Sequence, residues 1–410
     1  MKKYVIAGNG AAAANCIEGI RSIDSDGSIT VISEEKHEAY CRPLISYYLE
    51  NKTVPENMGY RKDGFYQRMK ATVLYGQKAV HIHKDKKTVG LDNGEILPYD
   101  ALCLAVGSSP FIPKMEGLEN VSRKHTFMTL DDALSLEQDV DENTKVLIIG
   151  AGLIGLKCAE GISGRTKSIT VCDLADRVLS SILDAECASM MQRHLEKHGM
   201  RFLLGDSVSR FDKDTAIMKS GTIVDFDVLV LAVGVRPNTA LLKEIGGKVN
   251  RGMLVNSSME TSIEGIYAAG DCTESEDLSS GTGKVLAILP NAAFQGFVAG
   301  VNMAGGNAVF DKAIPMNSIG FFGLHAMTAG TYAGKMYEEK NDRSIKRLYT
   351  EDDRLKGFVL IGCDERAGIY TSIIREQTPL SSVDFELMKK NATTAAFSRK
   401  TRTEKFGRTV

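Results

Sequence analysis

The sequence predicts an α/β protein with two Rossmann-like domains and a small α+β domain near its C-terminus, because one pattern occurs twice in its 410 residues. In each copy an apolar strand leads into a glycine-rich turn and a helix, and an acidic residue follows the next strand. Each copy then closes with a nearly identical apolar phrase. From about residue 309 the pattern changes to short strand-rich segments, which indicate the third domain.

The first copy begins with Tyr4-Val-Ile-Ala-Gly8-Asn-Gly10-Ala-Ala-Ala13, which reads as a strand, a turn and the start of a helix. A second strand, Ser28 to Ile32, is followed by the acid Glu34. A hairpin turn at Asp92-Asn-Gly94 then precedes the closing phrase Tyr99-Asp-Ala-Leu-Cys-Leu-Ala105-Val-Gly107. The order predicts a βαβ unit followed by a small antiparallel sheet.

The second copy begins with Val146-Leu-Ile-Ile-Gly150-Ala-Gly152-Leu-Ile-Gly155 and repeats the same order. Asp173 follows the strand Ser168 to Cys172, and a turn at Ser220-Gly221 precedes the phrase Phe226-Asp-Val-Leu-Val-Leu-Ala-Val233-Gly234. The match in order and chemistry indicates duplication of one domain plan.

The two copies differ in length. From the first glycine to the last, the first copy spans 100 residues (8 to 107) and the second spans 85 (150 to 234). We place the surplus at residues 36–70, a stretch that contains Tyr40-Cys-Arg-Pro-Leu44. Ligand contacts that the second copy lacks are expected there.

Composition excludes several classes of function. A net charge of −2 gives no electrostatic reason to expect nucleic acid or an anionic membrane as a partner. The sequence shows neither a targeting signal nor an apolar run long enough to cross a bilayer, so we expect a cytoplasmic protein. Basic residues near the C-terminus are interpreted as a solvated tail; they are Arg399, Lys400, Arg402, Lys405 and Arg408.

The eight cysteines contain no Cys-x-x-Cys pair, which argues against a local iron–sulfur or zinc site and fits a reducing compartment. His81 and His83 alternate on a strand, but no further ligands accompany them, so no metal is expected. Cys272 is interpreted as a packing residue.

The glycine turns predict dinucleotide binding. Backbone amides at a helix N-terminus can approach a pyrophosphate closely where no side chain intervenes. The acid after the next strand accepts hydrogen bonds from a ribose diol, a role for Glu34 and Asp173. Asp173 also repels a 2′-phosphate and so favours NADH over NADPH, although the nearby Arg177 weakens that argument.

Taken together with Ile266-Tyr-Ala-Ala-Gly-Asp271, these motifs resemble the two-dinucleotide-binding flavoproteins, also called the pyridine nucleotide–disulfide oxidoreductase family, over residues 1 to about 305. The resemblance implies a glutathione-reductase-like fold with an FAD-binding domain at 1–112 and 240–308, an NAD(H)-binding domain at 113–239, and an interface domain at 309–410. For FAD it implies contacts from Gly8, Gly10, Ala13, Glu34, Arg42, Pro43, Val80, Ala105, Gly107, Asp271, Asn291 and Ala292. For NADH it implies contacts from Gly150, Gly152, Leu153, Ile154, Gly155, Asp173, Val233 and Gly234.

Within this family the sequence departs from the disulfide reductases, since Cys41 has no partner cysteine and no C-terminal His-Glu dyad is visible. The phrase Tyr40-Cys-Arg-Pro-Leu44 is closer to NADH:rubredoxin reductases and the flavin portion of assimilatory nitrite reductases. Lys157 stands where many relatives have Glu, which leaves the nicotinamide contact at this position open. Asn291 and Ala292 would direct helix amides at the flavin, but Asn291 could equally be an ordinary helix cap.

We therefore predict an FAD-dependent oxidoreductase that passes electrons from NADH to rubredoxin or a ferredoxin-like iron–sulfur protein, as a monomer or homodimer. One alternative is a single-cysteine NADH peroxidase, NADH oxidase or coenzyme A-disulfide reductase that uses Cys41. Another is a flavin-binding regulatory or assembly protein with little turnover. The sequence leaves the physiological acceptor and the direction of electron flow open.

Overall fold

The computed structural model describes residues 1–363, 365–398 and 401–403, which form two compact units. The first unit comprises residues 1–275 and 287–310, and the second comprises 276–286 and the described residues of 311–410. Residues 276–286, which the sequence analysis assigned to the first domain, thus pack with the second unit. Of the basic C-terminal residues, Arg402 is described, whereas Arg399, Lys400, Lys405 and Arg408 lie outside the described residues.

The first unit begins with the first copy of the pattern. Its elements are β1 (Lys3–Ala7), α1 (Ala11–Arg21), β2 (Ser28–Ser33), α2 (Leu44–Leu49), α3 (Phe65–Arg68), β3 (Ala71–Tyr75), β4 (Ala79–His83), β5 (Thr88–Leu91), β6 (Ile96–Pro98), β7 (Ala101–Leu104) and β8 (Ser108–Pro110).

The second copy and the return to the first sheet follow. Their elements are β9 (Lys124–Thr126), α4 (Leu130–Asp139), β10 (Lys145–Ile149), α5 (Leu153–Ile162), β11 (Ser168–Asp173), α6 (Ala185–Lys197), β12 (Met200–Leu204), β13 (Val208–Asp212), β14 (Thr215–Met218), β15 (Ile223–Asp225), β16 (Val228–Leu231), β17 (Val235–Pro237), α7 (Ala240–Glu244), β18 (Met253–Leu254), β19 (Ile266–Ala268), β20 (Thr273–Asp277), β21 (Thr282–Lys284) and α8 (Leu289–Met303).

Each copy builds a five-stranded parallel sheet. The orders are β19-β7-β1-β2-β3 and β12-β11-β10-β16-β9, so in both sheets the strand that enters the glycine turn is central. Each copy also forms a three-stranded antiparallel sheet, β4-β5-β6 and β13-β14-β15. The buried apolar strands explain why parallel sheets with helices on both faces form here. The predicted α/β fold class with two Rossmann-like domains is confirmed.

Two glycines let helices α1 and α8 pack backbone to backbone against the first sheet. A Cβ atom added at Gly296 would lie 2.0 Å from the carbonyl oxygen of Ala12, and one at Gly300 would lie 2.0 Å from that of Cys16. A side chain larger than hydrogen would separate the helices. This packing brings the N-terminus of α8 to the first glycine turn.

The second unit is built on an antiparallel sheet with the order β22-β23-β26-β25-β24. Its core includes the buried side chains of Leu348, Phe358 and Tyr370. The elements are β22 (Met316–Phe321), β23 (Leu324–Gly330), β24 (Lys335–Lys340), β25 (Ile345–Glu351), β26 (Arg354–Ile361), α9 (Ala367–Arg375) and α10 (Phe385–Lys390). Among the helices of the described residues, none has the length and apolar composition that a membrane crossing requires.

Candidate functional site

The first glycine of each turn holds the same conformation against the same neighbour. Gly8 has φ +109° and Gly150 has φ +116°, in the region that side chains rarely adopt. A Cβ at Gly8 would lie 2.0 Å from the carbonyl oxygen of Ala105, and one at Gly150 would lie 2.2 Å from that of Ala232. The two closing phrases match because each one supports the turn of its own copy.

The second glycine of each turn faces open space. Gly10 and Gly152 are the N-cap residues of α1 and α5, with no side-chain cap, and an added Cβ would meet no atom within 4 Å. The amides of both helix N-termini are thus accessible to an anion. The third positions differ: Ala13 is fully buried, whereas a Cβ at Gly155 would lie 2.0 Å from the carbonyl oxygen of Gly150.

The two acids are held differently. Glu34 is exposed and pairs with Lys78 at 2.8 Å. Asp173 accepts hydrogen bonds from the amides of Ala151 at 2.7 Å and Ala175 at 2.8 Å, so it also supports its own glycine turn. Arg177 contacts Asp176 at 2.7 Å and the carbonyl oxygen of Leu183 at 3.2 Å. Since these contacts engage the guanidinium of Arg177, it weakens the argument for NADH over NADPH less than the sequence alone indicated.

A cleft of about 1140 Å³ opens at the carboxyl end of the first sheet, slightly larger than the usual small-molecule site. Ten residues predicted to contact FAD line it: Gly8, Gly10, Glu34, Arg42, Pro43, Val80, Ala105, Gly107, Asp271 and Ala292. Ala13 and Asn291 are buried and are not among its lining residues. The residues predicted for NADH lie in the second copy, with Leu153 and Ile154 in the first turn of α5 and Val233 and Gly234 just after β16.

Arg42 and Asp271 provide opposite charges in the cleft. Arg42 contacts Glu35 and donates to the hydroxyl of Tyr40 at 3.2 Å and the carbonyl oxygen of Met128 at 3.1 Å. Burial raises the pKa of Asp271, and the positive charge of Arg42 opposes that shift. Within the described part of the chain, the Asp271 carboxylate accepts no hydrogen bond.

These features fit FAD. The open amides of α1 suit a pyrophosphate, Glu34 suits a ribose diol, and the Asp271 carboxylate, which accepts no hydrogen bond from the described residues, suits a hydroxyl-bearing ligand. The helix α8 begins beside the cleft, with Leu289 and Ala292 in its lining and a proline in its first turn as predicted. Its N-cap residue is Ile288, so the alternative of Asn291 as the cap is wrong.

Cys41 lacks the surroundings of a reactive thiol. Burial raises the pKa of the Cys41 thiol, and no cation opposes that shift. Cys41 is partly exposed, but nucleophilic cysteines also have electropositive surroundings that stabilise the thiolate. Cys41 is also not among the lining residues of the cleft. None of the eight cysteines, all of which the structure describes, forms a disulfide, and Cys272 is buried, as expected of a packing residue.

Lys157 lies where helix α5 packs on helix α2 of the insertion. It contacts Glu160, approaches Glu50 at 4.0 Å, and lies 5.0 Å from the centre of the Tyr47 ring. The two helices meet closely, since a Cβ at Gly161 would lie 3.0 Å from the carbonyl oxygen of Ser46. Lys157, where the nicotinamide contact was left open, thus contacts side chains of the first copy.

Sequence reasoning missed the contribution of β17 and α7. Asn238 donates to the carbonyl oxygen of Val106 at 2.9 Å and accepts from Ser109 at 2.8 Å, and it lines the cleft with Thr239. The antiparallel pairing of β8 with β17 brings Asn238 and Thr239 to the cleft. No short sequence motif predicts this pairing. For metals, no candidate group of three His, Cys, Asp or Glu side chains occurs in the described ranges.

A family model described as pyridine nucleotide-disulphide oxidoreductase matches residues 2–296. The epsilon subunit of NADH-dependent phenylglyoxylate dehydrogenase from Aromatoleum evansii is 33% identical and covers 92% of this chain and 93% of that protein. An NADH oxidase from Methanocaldococcus jannaschii is 31% identical and covers 88% and 87%. A nitrite reductase [NAD(P)H] from Bacillus subtilis is 30% identical over 93% of this chain, which spans about half (48%) of its length.

Among solved structures, a putidaredoxin reductase in covalent complex with putidaredoxin is similar, with a TM-score of 0.88. The match covers 96% of this chain and 99% of that one at 23% identity. At this identity the likeness supports the fold alone.

Proposed function

This chain belongs to the pyridine nucleotide-disulphide oxidoreductase family, and from that premise we propose that it passes electrons from NADH through FAD to a small redox protein. The membership confirms the predicted family, the class of NADH-dependent flavin oxidoreductase, and FAD and NADH as cofactors. The acceptor that we propose is rubredoxin or a ferredoxin-like iron–sulfur protein. A cytoplasmic location and a monomeric or homodimeric state are part of the proposal.

The observation that carries the proposal is the environment of Cys41, which lies outside the lining of the cleft and where partial burial raises the pKa of the thiol with no cation to oppose the shift. With no activated thiol at that position, the bound flavin is left as the redox group. FAD supplies hydride acceptance and the release of single electrons. The residues of this chain bind and orient it: the α1 amides at the pyrophosphate, Asp271 at a hydroxyl, and the start of α8 beside the cleft.

Anaerobic stopped-flow mixing with NADH tests the proposal. We expect rapid loss of the oxidised flavin absorbance, followed by reoxidation when rubredoxin or a ferredoxin is added. Slow or absent reduction would instead support the regulatory alternative. Reduction without transfer to any tested carrier would reject the proposed acceptors.

The Cys41 enzyme is the second candidate, favoured by the likeness to an NADH oxidase. The substitution Cys41→Ser separates it from the first. An electron transferase should keep its rate with an artificial acceptor, whereas a thiol enzyme would lose turnover of peroxide or disulfide. Cys363, half-buried in the second unit, provides the matched control as Cys363→Ser.

A further inference from the structure

We propose that the outer face of helix α8 is a docking surface for a small electron carrier whose own contact face is apolar, an inference that rests on the proposed function. Pro290, Phe294 and Phe297 have the spacing i, i+4 and i+7, so they lie on one face of the helix. We call these three residues the apolar stripe. All three are exposed, with 49% of Phe294 and 40% of Phe297 accessible to solvent.

The apolar stripe is part of a larger apolar surface. The Phe310 ring stacks on the Phe294 ring, with 5.6 Å between the two ring centres. One turn beyond the stripe, a Cβ at Gly306 would lie 2.6 Å from a methyl carbon of Val301 and 3.3 Å from one of Ile23, and half of Ile23 is exposed. Exposed apolar groups that adjoin one another mark sites of interaction with other proteins.

The surface around the stripe carries no charge of its own. Residues 285–310 contain no Asp, Glu, Lys, Arg or His. Two cations lie close by and are both engaged, since Lys2 donates to the carbonyl oxygen of Met303 at 2.6 Å and Arg61 pairs with Glu18 at 2.7 Å. An acidic carrier would gain no ion pair along α8, so complementarity requires an uncharged, apolar contact face on the partner.

The stripe begins beside the flavin cleft. Ala287 and Leu289, which directly precede Pro290, both line the cleft. Phe294 is five residues beyond Leu289, which places it about 7.5 Å further along the helix axis at 1.5 Å per residue. A protein that docked on the stripe would therefore lie next to the group from which it receives electrons.

The size of the surface favours a transient partner over a permanent second copy of the chain. At about 200 Å² for a phenylalanine side chain, the exposed parts of Phe294 and Phe297 amount to roughly 180 Å². Even with Ile23 and Val309, both more than half exposed, the surface stays below the ~800 Å² that each subunit of a stable complex buries. Transient complexes of redox proteins bury less.

The test uses rubredoxin as the probe. FAD-loaded protein that NADH has reduced is mixed anaerobically with oxidised rubredoxin, and the loss of rubredoxin absorbance gives a second-order rate constant. The double variant Phe294→Gln/Phe297→Gln replaces both rings by a polar residue that favours helices, and we expect its rate constant to fall by at least about 10-fold. Raising NaCl from about 50 to about 500 mM should change the wild-type rate constant by less than about 2-fold, because salt screens charges and not apolar contacts.

Ile223→Gln provides the matched control. It removes an apolar side chain that is 65% exposed on β15, away from α8, and should keep the wild-type rate constant. Flavin absorbance and thermal melting report the folding of each variant. Phe297→Gln alone replaces the double variant if the latter does not fold, since it leaves the stacked pair of Phe294 and Phe310 intact.

Equal rate constants in the wild type and the double variant, or a steep loss of rate with salt, would overturn the docking surface and leave the proposed function in place. A wild-type dimer in sedimentation that the double variant loses would also overturn it, because a second copy would then cover the stripe. Calorimetric titration with oxidised rubredoxin measures docking without turnover. Binding that the double variant loses, in a protein whose flavin NADH does not reduce, would reject the function and retain the surface, whereas a wild type that does not bind rubredoxin would reject the surface.

Discussion

Substituting alanine at Gly150 and at Gly152 should have opposite effects on folding and on nucleotide binding. At Gly150, alanine must adopt φ +116° and place its Cβ 2.2 Å from the carbonyl oxygen of Ala232. The left-handed backbone costs about 1–2 kcal/mol and the overpacking about 1–3 kcal/mol, so we expect Gly150→Ala to destabilise the protein by about 2–5 kcal/mol.

At Gly152, alanine meets no such strain, since φ is −84° and its Cβ faces open space. That space is where we place the pyrophosphate of NADH. A methyl group there would weaken one or two hydrogen bonds from amides to a charged group, each worth about 1.5–3 kcal/mol. We expect Gly152→Ala to keep its melting temperature and FAD content while its affinity for NAD⁺ falls by at least about 10-fold.

The assay is differential scanning fluorimetry of both variants, combined with calorimetric titration with NAD⁺ and the ratio of flavin to protein absorbance. Gly150→Ala should melt at least about 4 °C lower than the wild type. The reasoning is refuted if the two variants lose stability equally, or if Gly152→Ala binds NAD⁺ as tightly as the wild type does.

Three further predictions concern Asp173, Asp271 and Tyr40. Asp173→Asn keeps an acceptor for the Ala151 amide but removes the charge, so the preference for NADH over NADPH in kcat/KM should fall by about 10-fold or more; an unchanged ratio would contradict the role of Asp173. Because burial raises the pKa of Asp271 above 3.8, the folded apoprotein retains a proton that the unfolded chain releases, and its stability should fall as pH rises from 3.8 through the raised pKa. The melting temperature of the Asp271→Asn apoprotein should lack this pH dependence. Identical pH profiles of the variant and the wild type would contradict the prediction. Tyr40→Phe leaves the Leu130 amide, now bound at 2.8 Å, without its acceptor and should cost about 1–3 kcal/mol by denaturant unfolding; a cost near zero would show that solvent replaces the hydroxyl.

Much of the fold was predictable because its signals are local. The strand ending at Gly8, the turn and the helix α1 occur in adjacent residues, and the second copy repeats them. The turns at Gly94 and Gly221 likewise predicted the two small antiparallel sheets, because glycine readily adopts the left-handed backbone that such turns require. The predicted strands therefore lie within a few residues of those observed.

The candidate site was only partly predictable. Glycines and acids of each copy are close in sequence, and ten of the predicted FAD contacts indeed line one cleft. Asn238 was missed because it reaches the cleft by pairing of β17 with the distant β8. The alternative of Asn291 as the cap of α8 was wrong because the cap, Ile288, lies three residues earlier, and Pro290 indicates the first turn without fixing the cap.

By itself the sequence determined the duplicated dinucleotide-binding plan, since backbone conformation at glycine and the burial of apolar strands follow from neighbouring residues. The tertiary structure alone decided what surrounds the side chains on which the chemistry depends. The partial burial of Cys41 and the ion pair between Lys157 and Glu50 arise from packing between distant segments. Desolvation and ion pairing depend on three-dimensional neighbours, and no local pattern in the chain specifies them.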